Sequence, residues 1–135
     1  MKRLDNYLSA LDTLREAPTQ DLENEFVVGG IINKFFLQFE LGWKLLKALL
    51  AYEGAPVVAS GSPRDIIKAA YRYFDFIDEA QWLQMLRDRN DTTHIYNEQL
   101  AIALVDKVIK DYLPEFEHMG RSIQARYGEE LDSIA

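Results

Sequence analysis

Cysteine is absent from the 135 residues, which removes disulfides, thiol nucleophiles and cysteine-bound zinc in one step. That lack fits a reducing compartment, and a cytoplasmic location is the expectation. Histidine occurs only twice, leaving little material for an imidazole-rich metal centre. Long apolar runs are also missing. The most apolar stretch, from Val27 to Leu50, is interrupted by Lys34, Glu40, Lys44 and Lys47, so no membrane span is expected. The start, Met1-Lys2-Arg3-Leu4-Asp5, opens into charge and lacks the apolar core of a signal peptide. Basic residues are scarce relative to acids. Fifteen Lys and Arg face 22 Asp and Glu, for a net charge of -7 and a pI near 4.8. Such a global field grips duplex DNA poorly, although it permits a local basic cleft and suits a partner with a basic surface.

What remains is the composition of a globular domain, with 48% apolar and 27% charged residues. A single domain over residues 1–135 is expected, with a polar tail from about residue 126 that frays. The periodicities are helical throughout. Leu4, Leu8, Leu11 and Leu14 mark a short amphipathic helix from Lys2 to Arg15, ended by Pro18. A long helix follows over residues 23–52, with the stripe Val28, Ile32, Phe35, Phe39, Trp43, Leu46 and Leu50. Ile31, Leu41, Leu45 and Leu49 widen it. Only a narrow polar strip through Asn33, Glu40, Lys44 and Lys47 is left, so this helix is packed on more than one side. Gly54-Ala55-Pro56 stops it, and a loop of small and β-branched residues runs to Gly61. Ser62-Pro63-Arg64-Asp65 starts a third helix, with Ser62 as N-cap and Pro63 at the first helical position. A fourth opens near Asp78-Glu79 and carries Trp82, Met85 and Leu86 to Arg89. The last begins at Asn97 and turns Ile102, Val105, Ile109, Tyr112, Phe116 and Met119 inward, with Pro114 expected to kink or split it. These patterns predict an all-α bundle of four to six helices without a sheet.

Candidate chemistry is sparse. Gly29-Gly30 lacks both the spacing and the preceding strand of a dinucleotide-binding loop. Glu115 and His118 match the Glu-x-x-His spacing of metal-binding bundles, but one such pair among two histidines reads as a surface cluster, and neither metal nor cofactor is expected. The informative segment is Arg87-Asp88-Arg89-Asn90-Asp91-Thr92-Thr93-His94-Ile95-Tyr96. Histidine exchanges a proton near neutral pH, and arginine presents fixed donors to phosphate oxygens. Arg89 lies on the stripe Trp82, Leu86, Arg89, Thr93, so its charge must find a partner or reach a cleft edge. The plain alternative pairs Arg89 with a carboxylate, sets His94 at a helix terminus and buries Tyr96 in the core.

Arg89-x4-His94-x-Tyr96 resembles the Arg-x4-His-x-Tyr motif of the HEPN superfamily, in its HepT-like branch. Phe35-Phe36-Leu37-Gln38-Phe39-Glu40-Leu41-Gly42-Trp43-Lys44 is similar to that family's Phe-Glu-x-x-Phe-Glu-Leu-Ala-Trp-Lys helix. Ser62-Pro63-Arg64 and Trp82-Leu83-x-Met85-Leu86-x-x-Arg89-Asn90 resemble two further blocks, in order and at family spacing. The resemblance implies an antiparallel, up-and-down bundle that forms a homodimer and binds a cognate minimal nucleotidyltransferase. In one view such a chain is an RNA-cleaving toxin neutralised by that enzyme as antitoxin. In the older view it is a noncatalytic, substrate-binding partner subunit. By residue, the resemblance makes Arg89 and His94 catalytic, Asn90 an assisting group and Tyr96 a candidate for adenylylation. Cleavage would need no metal, with attack by the RNA 2'-hydroxyl leaving a 2',3'-cyclic phosphate. Phe36 stands where the family often has an acid and Gly42 where it usually has alanine; both are expected to affect packing and partner fit rather than chemistry.

Overall fold

The computed structural model describes residues 1–56 and 61–134. Among these the chain is helical without a strand: α1 (Lys2–Leu14), α2 (Glu25–Tyr52), α3 (Pro63–Tyr73), α4 (Glu79–Asn90), α5 (Thr93–Tyr96), α6 (Glu98–Lys107) and α7 (Leu113–Tyr127). The expected all-α bundle is therefore present. The expected loop to Gly61 lies partly outside the described residues.

Local chemistry sets the ends. Asn24, Ser62, Asp78 and Asn97 each turn a side-chain oxygen onto a free N–H in the first turn of α2, α3, α4 and α6. At the far end of α2, Gly54 takes φ +79°. The Gly54 N–H then donates to Ala51 O at 3.1 Å and the Ala55 N–H to Leu50 O at 2.9 Å, a doubled C-terminal lock that needs a left-handed residue. Pro114 does not split the last helix. It sits in the first turn of α7, directly after a π-helical stretch over Val108–Tyr112. Proline offers no N–H to the preceding turn, and the wider winding accommodates that missing bond.

α2 is the axis of the bundle. Its stripe is buried as expected, with Phe35, Phe39, Leu45, Leu46, Leu49 and Leu50 fully enclosed. α1 runs antiparallel beside it: Tyr7 O accepts from Gln38 Nε2 at 3.0 Å, and the Tyr7 hydroxyl donates to Phe116 O at 2.7 Å. α4 also runs against α2, with Trp82 packed on Phe39 and Phe116. Trp82 meets α2 at Gly42, where a Cβ would lie 2.7 Å from Trp82 Cη2. The α6–α7 run lies parallel to α2, stacking Tyr112 on Phe35.

Two expectations about burial change. Ile102 is exposed rather than inward, because it borders the open cavity that α6 leaves beside the start of α2, while Leu104 and Val105 of the same helix are buried. The tail is tied down rather than frayed: Tyr127 and Ile134 belong to the core, and the Tyr127 hydroxyl donates to Glu53 Oε1 at 2.8 Å. No helix among the described residues is long and apolar enough to cross a membrane.

Candidate active site

Arg89 and Asn90 end α4, and His94 stands in the single turn of α5. The corner between them is organised by Asp91. Its backbone is extended, and its Oδ1 accepts from the Thr93 N–H at 3.0 Å and the Thr93 hydroxyl at 2.8 Å. Those two donors, the backbone one first, hold its carboxyl below the usual aspartate range. Asp91 O also lies 2.9 Å from His94 Nδ1. A carbonyl can only accept, so Nδ1 is the donor of that bond and Nε2 is left for another partner.

The same face of α2 supports both residues of the motif. Glu40 Oε2 pairs with Arg89 Nη2 at 2.8 Å, while Arg89 Nη1 reaches Asn90 Oδ1 at 3.5 Å. One turn earlier, the Phe36 ring meets the His94 ring edge-on at 5.7 Å between centroids. A four-residue step along a helix is about 6 Å, so Phe36 and Glu40 place the imidazole and the guanidinium roughly one helical turn apart. Glu40 is a site residue the motif reading missed. Its signal was its place as the acid in the narrow polar strip of α2, available to an arginine that needed a partner. Of the two departures from the family pattern, Phe36 reaches the site itself and Gly42 acts through packing. Phe36 touches His94, and Gly42 seats Trp82, which anchors the helix bearing Arg89.

Tyr96 does not fill the core; it is 89% exposed, beside Ile95 at 63%. His94, Ile95 and Tyr96 line a cavity of about 420 Å³ with Leu22, Ile32 and Ile102. Glu23, Glu25 and Glu98 also line it, so this side of the motif is acidic. A smaller cavity of about 220 Å³ lies on the other side of His94, against Asp88, Asp91 and Lys107. Asp88 there accepts from the Tyr112 hydroxyl and pairs with Lys107 at 3.3 Å. Burial, then that carboxylate, pushes the Tyr112 hydroxyl well above its ordinary range.

Glu115 and His118 do not form a site. Glu115 is buried and accepts from the Trp82 indole N–H at 3.3 Å and the Asp78 N–H at 3.4 Å, whereas His118 is exposed. The first arrangement is structural, linking α7 to the start of α4.

Residues 2–125 match the family described as nucleotidyltransferase substrate binding protein like. A probable ribonuclease HepT from Haemophilus influenzae is 28% identical over 102 residues, covering 74% of this chain and 69% of the relative.

Proposed function

The chain belongs to the nucleotidyltransferase substrate binding protein like family, and from that premise we propose that it is a metal-independent RNA endonuclease, the toxin of a pair whose cognate minimal nucleotidyltransferase neutralises it. The observation that carries the reading is the pairing of supports on α2: Glu40 aligns Arg89, and Phe36 together with Asp91 O orients His94 with Nε2 available as a base. In the reaction, His94 Nε2 removes the proton of an RNA 2'-hydroxyl. The oxygen attacks the adjacent phosphorus, and the bond to the 5'-oxygen breaks. Arg89 stabilises the charge on the phosphoryl oxygens with donors left free by Glu40. Asn90 holds the guanidinium or a phosphate oxygen. In a homodimer the leaving 5'-oxygen takes its proton from Nε2 of the partner subunit's His94, which acts in its imidazolium form while the attacking side acts as free base, giving a 2',3'-cyclic phosphate and a 5'-hydroxyl. Exposed Ile95, Tyr96 and Ile102 lining the large cavity support such a dimer.

A specific observation favours the noncatalytic partner-subunit reading as second. The acidic rim of Glu23, Glu25 and Glu98 beside exposed Tyr96 suits a basic protein surface better than a polyanion. Adenylylation of Tyr96 there would add bulk and negative charge two residues from His94.

RNA is incubated with wild type, His94→Ala and His118→Ala, each checked for folding by circular dichroism. Cyclic-phosphate ends from wild type and His118→Ala are expected, with His94→Ala slower by on the order of 10²–10⁴. Folded His94→Ala cutting at the wild-type rate would overturn the site. An inert wild type that still co-purifies with the nucleotidyltransferase would leave the partner reading, with mass spectrometry after ATP treatment testing Tyr96.

A further inference from the structure

We propose that the groove between the start of α1 and the second half of α2 is a phosphate-binding subsite that carries the RNA strand away from the cleavage centre. The identity of the strand rests on the ribonuclease reading above; the groove itself does not.

The groove has a volume of about 360 Å³ and is lined by Arg3, Trp43, Lys44, Lys47, Ala48 and Ala51. In a chain of net charge -7, every ionisable residue of this lining is a cation. Among the described residues, neither Arg3 nor Lys47 has a carboxylate within ion-pair distance. The small side chains of Ala48 and Ala51 keep the surface between the cations open. Trp43 is only 8% exposed, and its indole N–H is buried without an acceptor among the described residues. A buried donor left in that state calls for a partner, and it belongs to a residue that lines the groove.

The position is as informative as the charge. Lys44 Nζ lies 3.5 Å from Glu40 Oε1, the carboxylate whose other oxygen holds Arg89. The cationic row therefore starts at the motif arginine. Lys44 and Lys47 follow Glu40 by roughly 6 and 10 Å along the helix, a spacing that successive phosphates of an extended strand can match. On the opposite side of the motif, the large cavity offers Glu23, Glu25 and Glu98. A strand whose scissile phosphate sits at Arg89 is repelled in that direction and attracted in this one. Backbone cations give affinity without sequence preference, so the subsite would act on all RNA alike.

The test measures binding without cleavage. A labelled RNA oligonucleotide with 2'-O-methyl groups, which lacks the nucleophile, is titrated by fluorescence anisotropy over a range of salt. Wild type is compared with the double variant Arg3→Gln/Lys47→Gln, and with Arg64→Gln/Lys68→Gln on α3 as an equal change of net charge elsewhere. The groove variant is expected to bind on the order of tenfold more weakly at low salt, with its log–log salt slope shallower by roughly 1.4 for two lost phosphate contacts. The α3 variant should bind like wild type. Exposed Arg3→Gln alone, which leaves folding untouched, should show about half the change in slope. Equal binding by wild type and the groove variant, or an equal loss in the α3 control, overturns the subsite. So does failure of wild type to bind any oligonucleotide. If ATP displaces nothing, the RNA assignment is supported; if the groove variant loses ATP binding but keeps RNA binding, it is overturned. Wild type that binds through the groove yet never cleaves RNA would sink the nuclease reading and leave the groove standing.

Discussion

Gly42→Ala is a one-carbon change whose sign depends on how firmly Trp82 is held. An exposed glycine-to-alanine change inside a helix is favourable by about 1 kcal/mol, through backbone entropy and helix propensity. At Gly42 the added Cβ would stand 2.7 Å from Trp82 Cη2, 3.2 Å from Cζ3 and 3.3 Å from Tyr7 Cε2. The first distance requires a shift. Trp82 is a poor candidate to give way, being fully buried, packed on Phe39 and Phe116 and tethered to Glu115 through its indole N–H. Overpacking of this kind costs about 1–3 kcal/mol. Setting that against the propensity gain leaves a net loss of roughly 1 kcal/mol, or a fall of about 3–5 °C in melting temperature for a domain of this size. Any movement of Trp82 also moves α4, and with it Arg89 relative to Glu40. Thermal and urea denaturation of Gly42→Ala, Trp82→Phe and the double variant form a cycle in which the double variant should lose less than the sum of the singles. A melting temperature above wild type for Gly42→Ala, or no coupling to Trp82→Phe, would refute the argument.

Other positions give independent checks. Tyr7→Phe strips the buried hydroxyl that donates to Phe116 O at 2.7 Å; that carbonyl keeps its partner within α7, so the lost bond should cost about 0.5–1.5 kcal/mol in urea denaturation. Burial raises the carboxyl of Glu115 above the ordinary glutamate range. A raised carboxyl favours the fold below the unfolded value, and that contribution is lost as pH rises through the folded value. Glu115→Gln keeps an oxygen for Trp82, so the variant should gain on wild type from acid to neutral pH; a stability difference flat with pH would contradict this. Arg89→Lys should restore little of the cleavage lost in Arg89→Ala if a forked phosphate contact matters, because an ammonium cannot reproduce the planar pair of donors.

Local order was legible without coordinates. Helix periodicity, the Ser62-Pro63 start, the helix openings near Asp78 and Asn97 and the Gly54 stop each depend on residues within a few positions of one another, so their physics is contained in short words of sequence. The motif Arg89, Asn90, His94 and Tyr96 could be named for the same reason, being compact in the chain. Its environment could not. Glu40 and Arg89 are 49 residues apart, and only the packing of α4 across α2 makes them partners. Phe36 acquires its place beside His94 by that same packing. Ile102 fits an inward helical stripe by spacing, yet its exposure is decided by the open cavity that α6 leaves beside the start of α2. Periodicity fixes the angular order of side chains around a helix, but the rotation of that helix against its neighbours is set by the shapes it packs on. The split between an acidic cavity at Tyr96 and a cationic groove at Lys47 has the same origin: charges scattered along the chain acquire a direction only when the bundle closes.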